Sequence, residues 1–208
     1  MIYLSGTNFN GASEIFVGRE DVGCLVQPRS YPYPDKRAKC WAGDNGAFTG
    51  TFRHDRFLNW LSGLTNLSDT CLFVAVPDVL GNWQGTLQKF QMYESILRKY
   101  GFPLALVGQD GFCADEVKWD KIDAFFVGGS NDWKFSQGAA KAISRAKDMG
   151  KWVHMGRVNS YKRLRLAQVL GCDSADGNHV KFKPDVNAKH IIKWLDSVNK
   201  QSHFSWKL

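Results

Sequence analysis

Leu72-Phe-Val-Ala-Val-Pro-Asp78, followed after an amphipathic stretch by Leu104-Ala-Leu-Val-Gly-Gln109-Asp110-Gly111, is the segment whose reading decides the fold. Each run is short and almost continuously apolar, and each ends in a proline, a glycine or an acid. Between them, residues 83–100 set Leu87, Phe90, Tyr93 and Leu97 on one helical face, and Gly101 and Pro103 stop that helix. Strand, crossover helix, strand is the unit of a parallel α/β fold.

The same alternation extends in both directions. Residues 2–5, 23–26, 40–43, 123–127, 151–155 and 172–175 read as further strands. Residues 52–64, 135–149 and 159–169 read as helices, Ile191, Trp194 and Leu195 mark a closing helix, and residues 11–15 suit only a short helical turn. Eight strands interleaved with helices predict an α/β fold of the compact (β/α)8 barrel type, reduced and irregular, because 208 residues fall short of the roughly 250 usual for that architecture. A doubly wound open sheet is the alternative. The content of 44% hydrophobic and 23% charged residues suits one globular domain over residues 1–208.

Five cysteines, at 24, 40, 71, 113 and 172, form no close pair, so neither a disulfide framework nor a Cys-rich zinc module is expected. The chain reads as reduced and cytoplasmic. No apolar run reaches membrane-spanning length. The formal charge of +7 favours a polyanionic partner. Arg37, Arg157, Lys162, Arg163 and Lys183 lie just beyond strands or near acidic clusters and are candidates for phosphate contacts; an ordinary solvated basic face is the alternative.

In a parallel fold the polar groups at strand ends assemble the site. Asp44, Asp78, Gln109, Asp110, Asp173 and Asp176 occupy such ends, and a barrel would gather them around one pocket. Carboxylates and an amide suit a purine-like base, Gly108, Gly128 and Gly129 permit close backbone approach, and Phe48 and Met155 can supply apolar faces for the ring. Structural alternatives stand beside each. Asp44 can form an Asx turn, Asp78 can shape a helix entry, and Gln109 with Asp110 can make a turn. Met155 can be core, His154 can pack against helices, and Asp176-Gly177-Asn178 can turn in solvent. An aspartate of the 173/176 pair beside a sugar C1′ could attack it as a base departs, with the other in support.

At these residues the chain resembles the tRNA-guanine transglycosylases, most closely the 7-deazaguanine DNA transglycosylases of phages and bacteria. Asp44-Asn45-Gly46-Ala47-Phe48 resembles the family's Asp-Ser-Gly-Gly-Phe segment, and Val-Pro-Asp78 its base-recognition aspartate. Gln109 resembles the heterocycle-binding glutamine, Phe126-Val-Gly128-Gly129 the Ile-Gly-Gly strand end, and His154-Met155-Gly156 the Leu-Met-Gly whose methionine stacks on the base. Gly171-Cys-Asp173-Ser-Ala-Asp176 resembles Gly-Ile-Asp-Met-Phe-Asp, whose last aspartate is the nucleophile. The resemblance implies a pentosyltransferase that exchanges guanine for a 7-deazaguanine through a covalent ester on Asp176, with Asp44 assisting proton transfer. It implies no cofactor or metal, and a free 7-deazaguanine such as the 7-cyano form as co-substrate. The Cys-X-Cys of the tRNA enzymes' zinc element does not occur, which turns the expectation toward DNA, with an accessory protein to open the strand. Base exchange on tRNA, an N-glycosidase, a deoxyribosyltransferase and a non-catalytic nucleic-acid-binding barrel are the alternatives.

Overall fold

The computed structural model describes residues 1–6 and 8–201; the expected domain of residues 1–208 also takes in 202–208, which lie outside the described residues. Eight strands form one sheet: β1 (Ile2–Ser5), β2 (Val22–Val26), β3 (Trp41–Gly43), β4 (Cys71–Ala75), β5 (Leu104–Gly108), β6 (Ala124–Val127), β7 (Trp152–Met155) and β8 (Ser174–Gly177). Each pairs in parallel with the next, and β1 also pairs with β8, Leu4 standing opposite Asp176, so the sheet closes into a barrel. The expected (β/α)8 architecture is the observed one.

Its irregularity has a simple origin. Full helices follow β3 (α1, His54–Ser62), β4 (α2, Trp83–Leu97), β6 (α3, Asn131–Lys134, then α4, Gln137–Asp148), β7 (α5, Tyr161–Val169) and β8 (α6, Pro184–Gln201). After β1 the described residues hold only the 3-10 stretch Gly11–Phe16, after β2 a loop pinned by a Gln27–Tyr31 bridge, and after β5 two 3-10 turns. Local chemistry sets the helix starts. The side chains of Asn82, Ser136 and Ser160 accept the orphan N–H groups of Gly85, Ala139 and Arg163.

Side chains alternate between two packed layers, as strand geometry requires. Leu4, Ala42, Phe73, Ala105 and Ala124 fill the barrel interior, with Phe126 and Trp152 against them. The other parity faces the helices: Val153 and Met155 from β7 pack there with Ile143 and Ala146 of α4 and Leu164 of α5. Beyond this layer Leu25, Ala75, Val107 and Phe126 line a space that opens at the carboxyl ends of the strands. The last strand runs two residues later than the sequence reading of 172–175, which puts Asp176 inside β8 and Asp173 just before it.

Candidate active site at the carboxyl end of the barrel

A cavity of about 590 Å³ opens at this end of the barrel. Asp44, Asp78, Gln109, Asp110 and Asp176 all line it, as do Gly128 and Gly129, Phe48 and Arg157. Five of the six strand-end groups expected to converge therefore do so, and Asp173 does not. Leu25, Leu80, Val107 and Phe126 add apolar wall, and Lys181 adds a cation.

Asp78 is the most enclosed of these acids, 6% exposed. One carboxylate oxygen accepts from Asn45 Nδ2 at 2.9 Å and the other from Gln109 Nε2 at 2.6 Å. Gln109 in turn accepts from the Gly81 N–H, and Asn45 ties the Val76 carbonyl and the Ala47 N–H. Burial still pushes the Asp78 carboxyl upward, against those two hydrogen bonds. Gln109 thus orients Asp78 as well as lining the cavity.

Asp44 makes the Asx turn that its sequence context allows, Oδ1 accepting from the Gly46 N–H at 2.7 Å. It lines the cavity all the same. Desolvation, with the nearby charges of Asp176 and Asp78, pushes its carboxyl up to about 6, although the Gly46 N–H and Lys181 act the other way. A carboxyl in that range changes protonation near neutral pH.

Asp176 stands at the end of a buried relay that spacing did not disclose. Oδ1 lies 3.0 Å from His154 Nε2 and accepts from the Arg157 backbone N–H at 3.2 Å. His154 Nδ1 is 2.9 Å from Ser174 Oγ, which accepts from Trp152 Nε1 at 2.9 Å. The indole can only donate, so the Ser174 hydroxyl is free to donate to Nδ1; the imidazole then carries its proton on Nε2 and gives it to Asp176. Both contacts fall on Oδ1, which leaves Oδ2 for the cavity. His154 is fully buried, its ring 5.0 Å from that of Phe73 and 4.5 Å from that of Phe126.

The turn that presents the Arg157 N–H is built with care. Arg157 has φ of 60°, a conformation rare outside glycine, and Gly156 precedes it because a Cβ there would meet the Phe126 ring at 2.7 Å. Lys134, fully buried, donates from Nζ to the Gly156 carbonyl. Burial first, then the charge of Arg157, lowers its ammonium to about 7. Nothing in the sequence singles out this lysine, because one cation on a helix looks like a surface residue.

Two of the expected roles, those of Met155 and Asp173, do not survive. Met155 is fully buried in the layer facing the helices, away from the cavity, whereas His154 faces the interior; the assignment of the two to opposite faces of β7 was inverted. Asp173 lies at the other end of β8, where it binds Lys147 at 2.8 Å and the Val153 N–H at 2.7 Å, so it supports the barrel floor and not Asp176. Arg37 is engaged by Asp35, Asn10 Oδ1 and the Phe9 carbonyl. Lys162 and Lys183 are exposed, Arg163 lies over the Phe135 ring at 5.0 Å, and none of the three lines the cavity. Arg157 alone of the basic group does; its guanidinium sits 4.6 Å from the Phe48 ring centre and donates to the Gly129 carbonyl, closing one side of the mouth.

No family model matches the chain, and no curated protein does. A solved structure described as "Native KDPGal structure" superposes with a TM-score of 0.53 at 12% identity, over 96% of this chain and 95% of that one. The likeness is one of fold. The expectation of guanine exchange in nucleic acid is corrected accordingly: that neighbour is not a transglycosylase, and no family model or curated protein supports the activity. The residue pattern behind that expectation also breaks physically, at Met155, which cannot reach a ring, and at Asp173, at the far end of the barrel. Among the described residues no group of three or more His, Cys, Asp or Glu is placed to hold a metal ion, and no helix is long and apolar enough to cross a membrane.

Proposed function

We propose that this chain is an enzyme that holds a planar, donor-rich heterocycle of the guanine type at the mouth of its barrel and exchanges a proton with it through a pair of carboxylates. One observation carries the reading. Asp44, Asp78 and Asp176 converge on a single cavity with apolar side walls at the end of a (β/α)8 barrel where enzymes of this architecture keep their chemistry.

Carboxylates accept hydrogen bonds, so the ligand must supply donors. The N1–H and N2–H2 edge of guanine offers two adjacent donors that one carboxylate can take together; Asp78, pinned by Asn45 and Gln109, is fixed for such a pairing. Adenine presents an acceptor at the matching position and leaves the carboxylate unpaired. A free 7-deazaguanine, such as the 7-cyano form, presents the same edge as guanine. Phe126 and Leu80 supply apolar contact for the ring.

The two other carboxylates differ in environment, which is how acid and base roles are divided. Asp44, titrating near 6, is the group that gives or takes a proton at neutral pH. Asp176, anchored by one oxygen to His154 and the Arg157 N–H, keeps its second oxygen for the substrate. Calorimetric titration with 9-methylguanine and 9-methyladenine tests the reading. Guanine binding at least about tenfold tighter than adenine, and lost in Asp78→Asn, is expected, a difference of about 1.4 kcal/mol. Equal binding of the two rings, or none of either, rejects it.

A further inference from the structure

A second cavity, of about 330 Å³, is lined by Arg29, Gly50, Thr51, Arg53 and Arg56. Three arginines make up its charged lining. All three are exposed, and none forms an ion pair or a side-chain hydrogen bond among the described residues. The contrast with other arginines is informative: Arg19 binds Asp21 and Asp196, Arg37 binds Asp35, and Arg98 binds Glu94 and Asp123. The acid nearest in sequence, Asp55, lies 4.0 Å from His54 instead.

Like charges gathered around one cavity repel, and an anion between them relieves that repulsion. Guanidinium groups in planar forks match tetrahedral oxyanions by paired hydrogen bonds. The cavity also lies where α1 begins, and no side chain caps that helix, Arg53 being its N-cap residue; its first backbone N–H groups add donors of the same sign. Thr51 is held within the loop, its hydroxyl 2.8 Å from Thr49 Oγ1 and donating to the Gly46 carbonyl, and Gly50, at φ of 65°, leaves open space beside the backbone.

We propose that Arg29, Arg53 and Arg56 form a phosphate-binding site. It is a separate site from the ring cavity and stands without the reading given for that cavity. The two are nevertheless neighbours in the chain: Asp44, Gly46, Phe48 and Thr49 line the first, and Gly50, Thr51 and Arg53 the second, so one loop carries both.

The test is NMR titration of the arginine side-chain N–H signals with potassium phosphate, ionic strength being held constant with potassium chloride. Saturable shifts at Arg29, Arg53 and Arg56 below about 10 mM phosphate are expected. Arg53→Ala and Arg56→Ala, both at exposed positions that leave the core untouched, should each weaken binding at least about tenfold, and Arg53→Lys, without the planar fork, should restore it only in part. Shifts that chloride reproduces, or phosphate affinity undiminished in the alanine variants, overturn the site. A parallel titration with a short single-stranded oligonucleotide identifies the source: tighter binding than inorganic phosphate, lost in the same variants, assigns the site to a phosphodiester, and weaker binding assigns it to free phosphate or a monoester.

Discussion

Asp44→Asn should make the protein more stable at neutral pH while impairing its cavity. The Asp44 carboxyl, ordinarily near 3.8, is held at about 6 by desolvation and by the charges of Asp176 and Asp78. Between those two values the native state keeps a proton that the unfolded chain has released, so stability falls as pH rises through the window and levels off above it. Below about 3.8 both states are protonated and the penalty is absent. A separation of about two pH units, at about 1.4 kcal/mol each, makes the ionised side chain cost up to about 3 kcal/mol above pH 7. Asparagine removes the charge and keeps the oxygen that accepts from the Gly46 N–H, so the turn is retained. For a domain of this size the gain corresponds to a rise in Tm of roughly 6–12 °C. Calorimetric melts of both proteins from pH 4 to pH 8 should show the variant ahead at pH 8 and level at pH 4. A variant less stable at pH 8, or a difference that does not change with pH, would refute the desolvation account of this residue.

Lys134→Met should also stabilise the fold, most below pH 7, because burial holds the ammonium near 7 and native stability rises with pH between that value and the ordinary 10.5. It should nevertheless weaken 9-methylguanine binding, since the Gly156–Arg157 turn loses its anchor; melts at pH 6 and pH 9 with parallel titrations check both halves. His154→Ala should cost about 2–4 kcal/mol in urea unfolding, the price of a cavity between Phe73 and Phe126 plus the loss of the contact to Asp176. Asp173→Asn should cost about 1 kcal/mol by releasing the half-exposed Lys147 and leave ring affinity unchanged, in contrast to Asp78→Asn, which should abolish it.

Much of the fold was legible because crossover helices and buried strands carry different periods. The apolar runs ending at Asp44, Asp78 and Gln109 mark strand ends directly, and a parallel barrel leaves such ends nowhere to go but one rim. β7 was misread for a physical reason. In Trp152-Val-His-Met155 both faces of the strand are buried, one in the barrel and one under the helices, so no polar alternation fixes the parity. Choosing Met155 as the inward residue displaced His154, and with it the relay to Asp176. β8 slid by two residues because Cys172 and Ala175 are equally apolar; its true register is set by pairing, Ser174 opposite His154 and Ala175 opposite Met155. The arginine cluster is not legible in the sequence, because Arg29 is far along the chain from Arg53 and Arg56 and the fold brings them to one cavity.

The most direct test of the proposed chemistry is a crystal structure of the protein with 9-methylguanine. The ring should lie in the cavity with its N1–H and N2–H2 edge within about 3.2 Å of the Asp78 carboxylate and, in crystals grown below about pH 6, with the protonated Asp44 carboxyl donating to the acceptor edge of O6 and N7. A ring bound elsewhere, or bound in this cavity with its donor edge turned away from all three aspartates, would contradict the account.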